Sequence, residues 1–241
     1  MYKGIYVGTS GALLGDRRLS AIAHNLANQH TIGFKRERMS FRTYLLGEGA
    51  GELQPAPSLY PGSKTLSTMG GLETDLSAGE ISQTGNPLDV AITGEGFFAV
   101  NTPDGVRYTR RGVFQLNEER TVATSEGYPV LADGGPLTLP EGSTIVIGDD
   151  GRVSVDNEEV GTLQIVGLVN PQRNDRGYYI GTPEPIENIR VAQGALEQSN
   201  VQSFREMIDM IQTTREYETN MRMIQAFDTA SQKTVNELAR V

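Results

Sequence analysis

The sequence predicts an α+β protein in which a helix at each end of the chain flanks a mainly antiparallel β domain and an extended arm. All 11 prolines of the 241 residues lie between Pro55 and Pro185, and 22 of the 28 glycines lie in residues 41–192. Because a proline costs about 3 kcal/mol inside a helix, long helices can form only at the two ends. Apolar residues follow helical spacing at both ends and alternate with period two in the middle. These observations exclude a helical bundle and an alternating α/β chain.

The first helix is expected over residues 3–28. Its apolar positions follow a heptad pattern and are Ile5, Ala12, Leu19, Ile22 and Leu26. Four glycines spaced by four, three and four residues form one stripe of this helix: Gly4, Gly8, Gly11 and Gly15. Each glycine costs about 0.8–1 kcal/mol relative to alanine, so the first half of the helix is weak alone. Either the first 15 residues are a disordered tail, or the stripe lets another helix approach closely within an assembly.

The second helix is expected over residues 201–239. Ten positions alternate in steps of three and four, and seven of them are apolar: Met207, Met210, Thr214, Tyr217, Met221, Ile224, Asp228, Ser231, Val235 and Leu238. The apolar face is widened over the first two turns by Phe204, Ile208 and Ile211. At about 1.5 Å per residue this helix is too long for one small domain to cover, so its seam needs a partner, and the first helix is the nearest candidate. The methionines suit either variable contacts among subunits or ordinary packing, and Asp228 and Ser231 are either solvated or set the register.

The middle of the chain predicts short strands joined by turns. Phe98 and Val100 precede Pro103-Asp104-Gly105, and Val106 and Tyr108 follow it. Ile145 and Ile147 precede Asp149-Asp150-Gly151, and Val153 and Val155 follow it. Both patterns are typical of β-hairpins. Further short strands are expected at Phe114 with Leu116, Val122 with Thr124, and Tyr128 with Val130. We therefore expect an antiparallel barrel or sandwich over 88–192, preceded by an extended arm over 36–87 with a short strand or two.

Charge is distributed as unevenly as proline. The net charge is −9, but residues 1–40 carry +4 and residues 41–192 carry −11. A basic leading segment on an acidic body suits stacking of identical chains better than binding of nucleic acid, which needs a broad positive surface. No uncharged apolar run approaches 18 residues, so we expect no membrane insertion. Asp16, Arg17 and Arg18 interrupt the stretch before Ala21-Ile22-Ala23, so we expect no cleaved signal peptide.

Residue patterns for catalysis are sparse. The two histidines, His24 and His30, are six positions apart, not the four that place two metal ligands on one helix face. There is no nucleophile elbow and no phosphate-binding loop, and Gly94-Glu95-Gly96 is more typical of a strand turn than of a dinucleotide site. An acidic pair such as Asp89 with Glu95 is not distinctive among 30 carboxylates. We expect no enzyme activity, no cofactor, no metal and no small-molecule substrate.

Three blocks of the chain carry a recognisable pattern. The first is Ala23-His24-Asn25-Leu26-Ala27-Asn28, then Thr31 and Gly33-Phe34-Lys35-Arg36. The second is Pro87-Leu88-Asp89-Val90-Ala91-Ile92, then Gly94, Gly96-Phe97-Phe98, Tyr108-Thr109-Arg110, Gly112 and Phe114. The third is Gln193-Gly194, Leu196-Glu197, Ser199-Asn200-Val201, Met207, Met210-Ile211, Arg215, Tyr217-Glu218 and Asp228. Together, and in this order, they resemble the rod and hook family of bacterial flagellar axial proteins.

The end of the first block has a direct physical interpretation. Asn28 can close the first helix, and Gly33 can adopt a backbone turn that other residues avoid. Phe34 can then anchor the arm that follows.

The resemblance implies a structural subunit of the flagellar basal-body rod, the periplasmic drive shaft that transmits torque for motility. It implies that the terminal helices pair as an antiparallel coiled coil in the core of a tubular assembly, with the β domain outside. The implied partners are other copies of the chain, other rod proteins, and the type III export apparatus during secretion without signal cleavage.

Within the family, Gly134-Gly135-Pro136-Leu137, Pro140-Glu141-Gly142-Ser143 and the modest length look most like the proximal rod members. The distal rod members are the alternative. A periplasmic cell-wall hydrolase is a more distant one.

The resulting expectation is a chain of four segments. They are the N-terminal helix of the core domain (1–35), the arm (36–87), the β domain (88–192) and the C-terminal helix of the core domain (193–241). The expected assembly interface comprises Ile5, Gly8, Gly11, Ala12, Gly15, Leu19, Ile22, Asn25, Leu26, Asn28, Gly33, Phe34, Met207, Met210, Ile211, Tyr217, Met221, Ile224, Val235 and Leu238.

Overall fold

The structure is a computed structural model that describes residues 2–46, 54–55, 64–142, 144–174, 177–186 and 189–238. Side chains are described for residues 8–40, 71–142, 144–174, 177–186 and 189–233. Over these residues the fold is α+β, with two helices and antiparallel strands, which confirms the predicted class.

The chain divides into two compact units. The first, here called the helical unit, comprises Met1–Ala27, Glu37–Glu73 and Gln202–Val241. The second, here called the β unit, comprises Asn28–Arg36 and Thr74–Val201. The arm segment expected over 36–87 is thus shared between the two units, and residues 28–36 group with the β unit instead of with the first helix. The division into four segments stays a prediction.

The helical unit contains both helices and the first three strands: α1 (Tyr2–Ala27), β1 (Glu37–Leu46), β2 (Gln54–Pro55), β3 (Lys64–Thr74) and α2 (Ser203–Leu238). Both helices begin and end within two residues of the predicted bounds. In the sheet, β1 lies between β2 and β3. The ten residues of β1 and the eleven of β3 exceed the short strands expected of the arm.

The N-terminal end of α1 resolves one of the open alternatives. Because α1 begins at Tyr2, the described part of the first 15 residues is helical, which favours the contact stripe over a disordered tail. At the other end, α1 stops at Ala27, and the carbonyl of Asn28 accepts a hydrogen bond from the N–H of Thr31 at 3.1 Å. The Thr31 hydroxyl also donates to the Asn28 side-chain oxygen. Asn28 therefore closes the helix as expected.

The β unit is built from short strands: β4 (Ile81–Gln83), β5 (Val90–Ile92), β6 (Phe97–Thr102), β7 (Gly105–Thr109), β8 (Phe114–Leu116), β9 (Val122–Thr124), β10 (Leu131–Ala132), β11 (Gly135–Pro136), β12 (Ile145–Ile147), β13 (Arg152–Val155), β14 (Glu158–Thr162), β15 (Ile165–Arg173), β16 (Tyr179–Glu184), β17 (Val191–Gln193) and β18 (Ala195–Glu197). Strands β15, β16, β7 and β6 pair in that order and close into a small barrel. The other strands form two- and three-stranded sheets.

Both predicted hairpins are confirmed. In the β6–β7 hairpin, Phe98 pairs with Thr109 and Thr102 with Gly105. In the β12–β13 hairpin, Ile145 pairs with Val155. The strand expected at Tyr128 and Val130 is reduced to isolated bridges, because Val130 bonds to several neighbours in turn instead of running along one strand.

One apolar core fills the interior of the β unit. Its fully buried members include Phe98, Val100, Val130, Leu139 and Val153. Phe98 and Phe114 pack edge to face, with ring centroids 5.1 Å apart. Each such pair contributes about 0.5–1.5 kcal/mol beyond the burial of area, so the β unit has its own source of stability.

Among the described residues, neither helix holds a stretch long and apolar enough to cross a membrane.

Candidate assembly surfaces

Three glycines of α1 lie against α2. A methyl group placed on Gly8 would lie 2.9 Å from Cγ1 of Ile224, and one on Gly11 would lie 2.9 Å from the side-chain nitrogen of Asn220. One on Gly15 would lie 3.4 Å from Cβ of Tyr217. As residue numbers rise along α1 they fall along α2, so the helices run antiparallel. The glycine stripe permits a close approach of the two backbones.

Replacing glycine by alanine should affect the stability of the helix pair differently at two positions of the stripe. Gly15→Ala should stabilise the helix pair by up to about 1 kcal/mol, because it gains helix propensity and meets Tyr217 at ordinary contact distance. Gly8→Ala should lose that gain, because its methyl group clashes with a branch carbon of Ile224 rather than with the end of a flexible chain. Urea unfolding followed by far-ultraviolet circular dichroism measures both. Equal stabilisation by the two substitutions would show that Gly8 has no close neighbour.

The face of α2 that is turned inward is more polar than the predicted seam. Glu206 and Thr213 are completely buried, and Met210, Tyr217 and Ile224 are half-buried. The Thr213 hydroxyl donates to the carbonyl of Asp209 in its own helix at 2.7 Å, so its burial leaves no hydroxyl proton unbonded. Hydrophobicity alone therefore does not define which residues of α2 are turned inward.

Asn25 connects three elements of the helical unit. Its side-chain nitrogen donates to the carbonyl of Glu37 at 2.9 Å and to a carboxylate oxygen of Glu206 at 3.3 Å. Its side-chain oxygen accepts the backbone N–H of Glu37 at 2.9 Å. Asn25 thus fixes the end of α1 beside the start of α2 and of β1, from a position that is 1% exposed.

An apolar ridge runs along the outward face of α2. It consists of Phe204, Met207, Ile208 and Ile211 and is called the α2 ridge below. Phe204 is 82% exposed, and Ile208 and Ile211 are more than half exposed. Exposed apolar patches of this kind mark interaction surfaces in soluble proteins.

The remaining expected interface residues fall into several environments. Ala12 and Ile22 are buried, Leu19 and Leu26 are half-buried, and Met221 is exposed. The side chains of Ile5, Val235 and Leu238 lie outside the described residues. For all of these residues, participation in contacts between subunits stays a prediction.

The β unit buries a cluster of charges centred on Glu197. One carboxylate oxygen accepts hydrogen bonds from Nζ of Lys35 at 2.7 Å and from the backbone N–H of Gly79 at 2.8 Å. The other accepts from Nε of Arg110, whose remaining nitrogens donate to the carbonyls of Gly94 and Gly96. Nζ of Lys35 also donates to the carbonyl of Ser77 at 2.7 Å. One buried carboxylate therefore pairs with two buried cations.

The environment shifts the pKa values of two members of this cluster. Burial alone would raise the pKa of the Glu197 carboxyl, but the charge and hydrogen bond of Arg110 and the hydrogen bond from Lys35 hold that pKa below its usual value. Burial lowers the pKa of the Lys35 ammonium, and the Glu197 carboxylate opposes that change. The cluster is therefore most favourable with Glu197 ionised.

Gly33 and Phe34 also belong to this region of the β unit. The N–H of Gly33 donates to the carbonyl of Glu197 at 2.8 Å. Gly33 has a φ of +66°, and a methyl group there would lie 2.6 Å from the carbonyl carbon of Arg110, so only glycine fits. Phe34 is buried and packs under the guanidinium of Arg173, 4.3 Å from the ring centroid. Both residues are buried in the β unit, and their part in contacts between subunits stays a prediction.

Lys35, Arg110, Glu197 and Asn200 were absent from the expected set of functional residues. Each belongs to one of the three sequence blocks described above, so those blocks could have identified these residues as functional candidates. Hydrophobic periodicity could not identify them, because the cluster joins residues that are far apart in sequence.

Within the described part of the chain, no three histidine or acidic side chains are grouped so that they could hold a metal ion.

Two protein-family models match the chain. The model described as "Flagellar hook protein FlgE/F/G D1 domain" matches residues 91–155, within the β unit. The model described as "Flagellar basal body rod FlgEFG protein C-terminal" matches residues 192–238, which end in α2. The two models thus describe parts of flagellar hook and rod proteins.

Curated relatives align over the full length. The flagellar basal-body rod protein FlgF of Caulobacter vibrioides is 34% identical, with 100% of both chains covered. FlgF of Salmonella typhimurium is 32% identical over 95% of both chains. The flagellar basal-body rod protein FlgG of Bacillus subtilis is 31% identical over 98% of this chain and 99% of its own. The chain belongs to the flagellar basal-body rod protein family and is FlgF-like.

Proposed function

We propose that the chain is a structural subunit of the flagellar basal-body rod. The observation that carries this proposal is the full-length similarity to rod proteins, which extends through both terminal helices. The exposed α2 ridge supports it, because polymerisation would bury a surface that one copy leaves in water. Contacts between different faces of identical chains give a helical tube when the rotation does not close. Such a tube would transmit torque along the rod.

The position in the rod is the next part of the proposal. Relatives called FlgF support a proximal position, and the FlgG of Bacillus subtilis makes the distal rod the alternative. Labelled protein in isolated basal bodies decides between them. Label at the membrane-proximal end of the rod supports the proposal, label at the hook-proximal end supports the alternative, and label absent from the basal body contradicts both.

The remaining parts concern export and partners. We infer that the chain leaves the cytoplasm through the flagellar type III apparatus with its N-terminus intact, and that its partners are other copies and other rod proteins. The charged residues Asp16–Arg18 support retention of the N-terminus. Intact N-terminal sequence in basal-body protein is the expected result. A peptidoglycan-release assay is expected to show no hydrolase activity.

We also propose that α1 and α2 pair as an antiparallel coiled coil in the core of the rod. The reverse-order contacts of Gly8 with Ile224 and of Gly15 with Tyr217 support this arrangement. Arg18 and Glu216 form an ion pair 3.6 Å apart that continues the same reverse order of contacts. The pair is too exposed to contribute much to stability.

Paired cysteines test this arrangement directly, because the chain has no cysteine of its own. A Cβ on Gly15 would lie 3.4 Å from Cβ of Tyr217, close to the spacing of about 3.5–4.5 Å in disulfides. The double variant Gly15→Cys/Tyr217→Cys should therefore oxidise within one chain and migrate faster on a non-reducing gel. The matched control Leu13→Cys/Tyr217→Cys should stay reduced, because Leu13 is exposed. Equal oxidation of both variants would contradict the pairing.

A further inference from the structure

The three sequence blocks of the chain meet at one buried point in the β unit. Lys35 comes from the first block, Arg110 from the second and Glu197 from the third, and the Glu197 carboxylate bonds to both cations. Their side chains are at most 3% exposed. The assembly surfaces described above do not use this cluster, so its burial needs another explanation.

Asn200 adds hydrogen bonds beside this cluster. They connect the segment that follows α1 to the segment that precedes α2. The N–H of Arg36 donates to the side-chain oxygen of Asn200 at 2.7 Å, and the N–H of Asn200 donates to the carbonyl of Phe34 at 3.4 Å. The side-chain nitrogen of Asn200 donates to the carbonyl of Asp75 at 2.9 Å. Phe34 follows the last residue of α1 by seven positions, and Asn200 precedes the first residue of α2 by three.

We propose that Lys35, Arg110, Glu197 and Asn200 form a clasp that makes α1 and α2 of one copy pair with each other instead of exchanging between copies. The α1–α2 contact places glycines of α1 against Tyr217, Asn220 and Ile224. Every copy presents the same residues, so the contact itself does not distinguish the α2 of the same copy from that of another copy. The clasp favours pairing within one copy, because it tethers the end of α1 to the start of α2. Such a tether raises the effective concentration of the two helices to about the millimolar range. A buried ion cluster suits this task, since it is satisfied in one arrangement only. The inference concerns a single copy and does not depend on the rod assignment.

The cysteine pair at positions 15 and 217 shows whether α1 pairs with the α2 of its own copy or with the α2 of another copy. In the otherwise unchanged chain, oxidation should give a monomer with an internal disulfide, and this product should persist as protein concentration rises. Lys35→Met and Asn200→Ala each weaken the clasp in that background. Both should increase the fraction of disulfide-linked dimer several-fold, and the increase should grow with concentration. Lys233→Met is the matched control, because Lys233 is exposed on α2 and its loss removes the same charge without touching the clasp.

The folding of the β unit is measured in the same samples. Lys35→Met leaves Glu197 and Arg110 as a balanced pair, and Asn200 is only half-buried, so both variants should keep the near-ultraviolet circular dichroism of the buried tyrosines. A folded β unit with an unchanged monomer product in both variants overturns the proposal. So does a comparable rise in dimer for Lys233→Met. Because the experiment uses purified protein, a labelled chain found outside the basal body would refute the rod assignment without affecting this result.

Discussion

Replacing Glu197 by glutamine is expected to lower the free energy of unfolding of the β unit by about 3–5 kcal/mol, because two buried cations lose the carboxylate that pairs with both of them. Glutamine has nearly the same shape, so the effect comes from charge and not from a cavity. A loss of this size is a large fraction of the stability of a typical domain, which is about 5–15 kcal/mol. Urea unfolding of the full chain, followed through the buried tyrosines, measures it.

Two further substitutions separate charge balance from simple loss of a buried contact. Lys35→Met should cost less than Glu197→Gln, because the Glu197–Arg110 pair that remains has one charge of each sign. Glu118→Gln removes the same charge at an exposed position and should leave stability unchanged. If Lys35→Met were the more damaging of the two cluster variants, balance of charge would not be what holds the cluster together.

The same cluster predicts acid sensitivity. The folded state holds the pKa of Glu197 below its unfolded value of about 4.3, so the unfolded chain binds more protons in acid. The stabilisation is fully present above pH 4.3 and is lost as pH falls through the folded pKa. Stability of the β unit should therefore decrease below about pH 4.3, and the decrease should be smaller in Glu197→Gln, which cannot titrate there. Equal slopes in the two proteins would exclude this contribution.

Much of the architecture follows from local chemistry. Confinement of proline to the middle determined where helices can form, and period-two alternation around Asp-Gly turns determined the β6–β7 and β12–β13 hairpins. The glycine stripe of α1 was also visible, because backbone approach is encoded by the absence of side chains at helical spacing. These features depend on neighbours within about ten residues, which is why a single sequence reveals them.

The inward face of α2 could not be predicted in the same way. Hydrophobic spacing favours Met207 and Met221 as seam positions, yet both are exposed, whereas Glu206 and Thr213 are buried. Burial of a polar group costs less when it is hydrogen-bonded, and one carboxylate oxygen of Glu206 accepts a hydrogen bond from Asn25, 181 positions away. The partner of a polar side chain is a property of the fold.

Long-range pairing also explains the other differences. Strand β3 lies in a stretch without sustained alternation, and it pairs with β1 across an intervening segment. The clasp residues come from three blocks that are far apart in the sequence, so no local pattern indicated that they meet. A sequence resemblance indicates that such residues matter, but only the structure shows what each of them contacts.

Introducing a carboxylate on the α2 ridge is expected to abolish rod assembly while leaving the monomer folded. Phe204 is 82% exposed, so Phe204→Asp removes no internal packing of one copy. In an assembly that buries the ridge, the new charge would be desolvated without a partner, which costs several kcal/mol per subunit and is repeated at every contact. Loss of motility in a complemented deletion strain, with normal circular dichroism of the purified variant, is the expected result. Ile208→Asp should behave in the same way.

Gln212→Asp provides the matched control, because Gln212 is exposed next to Ile211 and already polar. The control adds the same negative charge to the same helix, so it reproduces any general effect of charge on export or helix stability. Motility with Gln212→Asp but not with Phe204→Asp would assign the defect to the apolar ridge. Secretion of Phe204→Asp into the periplasm separates a failure of assembly from a failure of export. Full motility of both ridge variants would show that the ridge faces solvent in the rod and that the subunits meet through another surface.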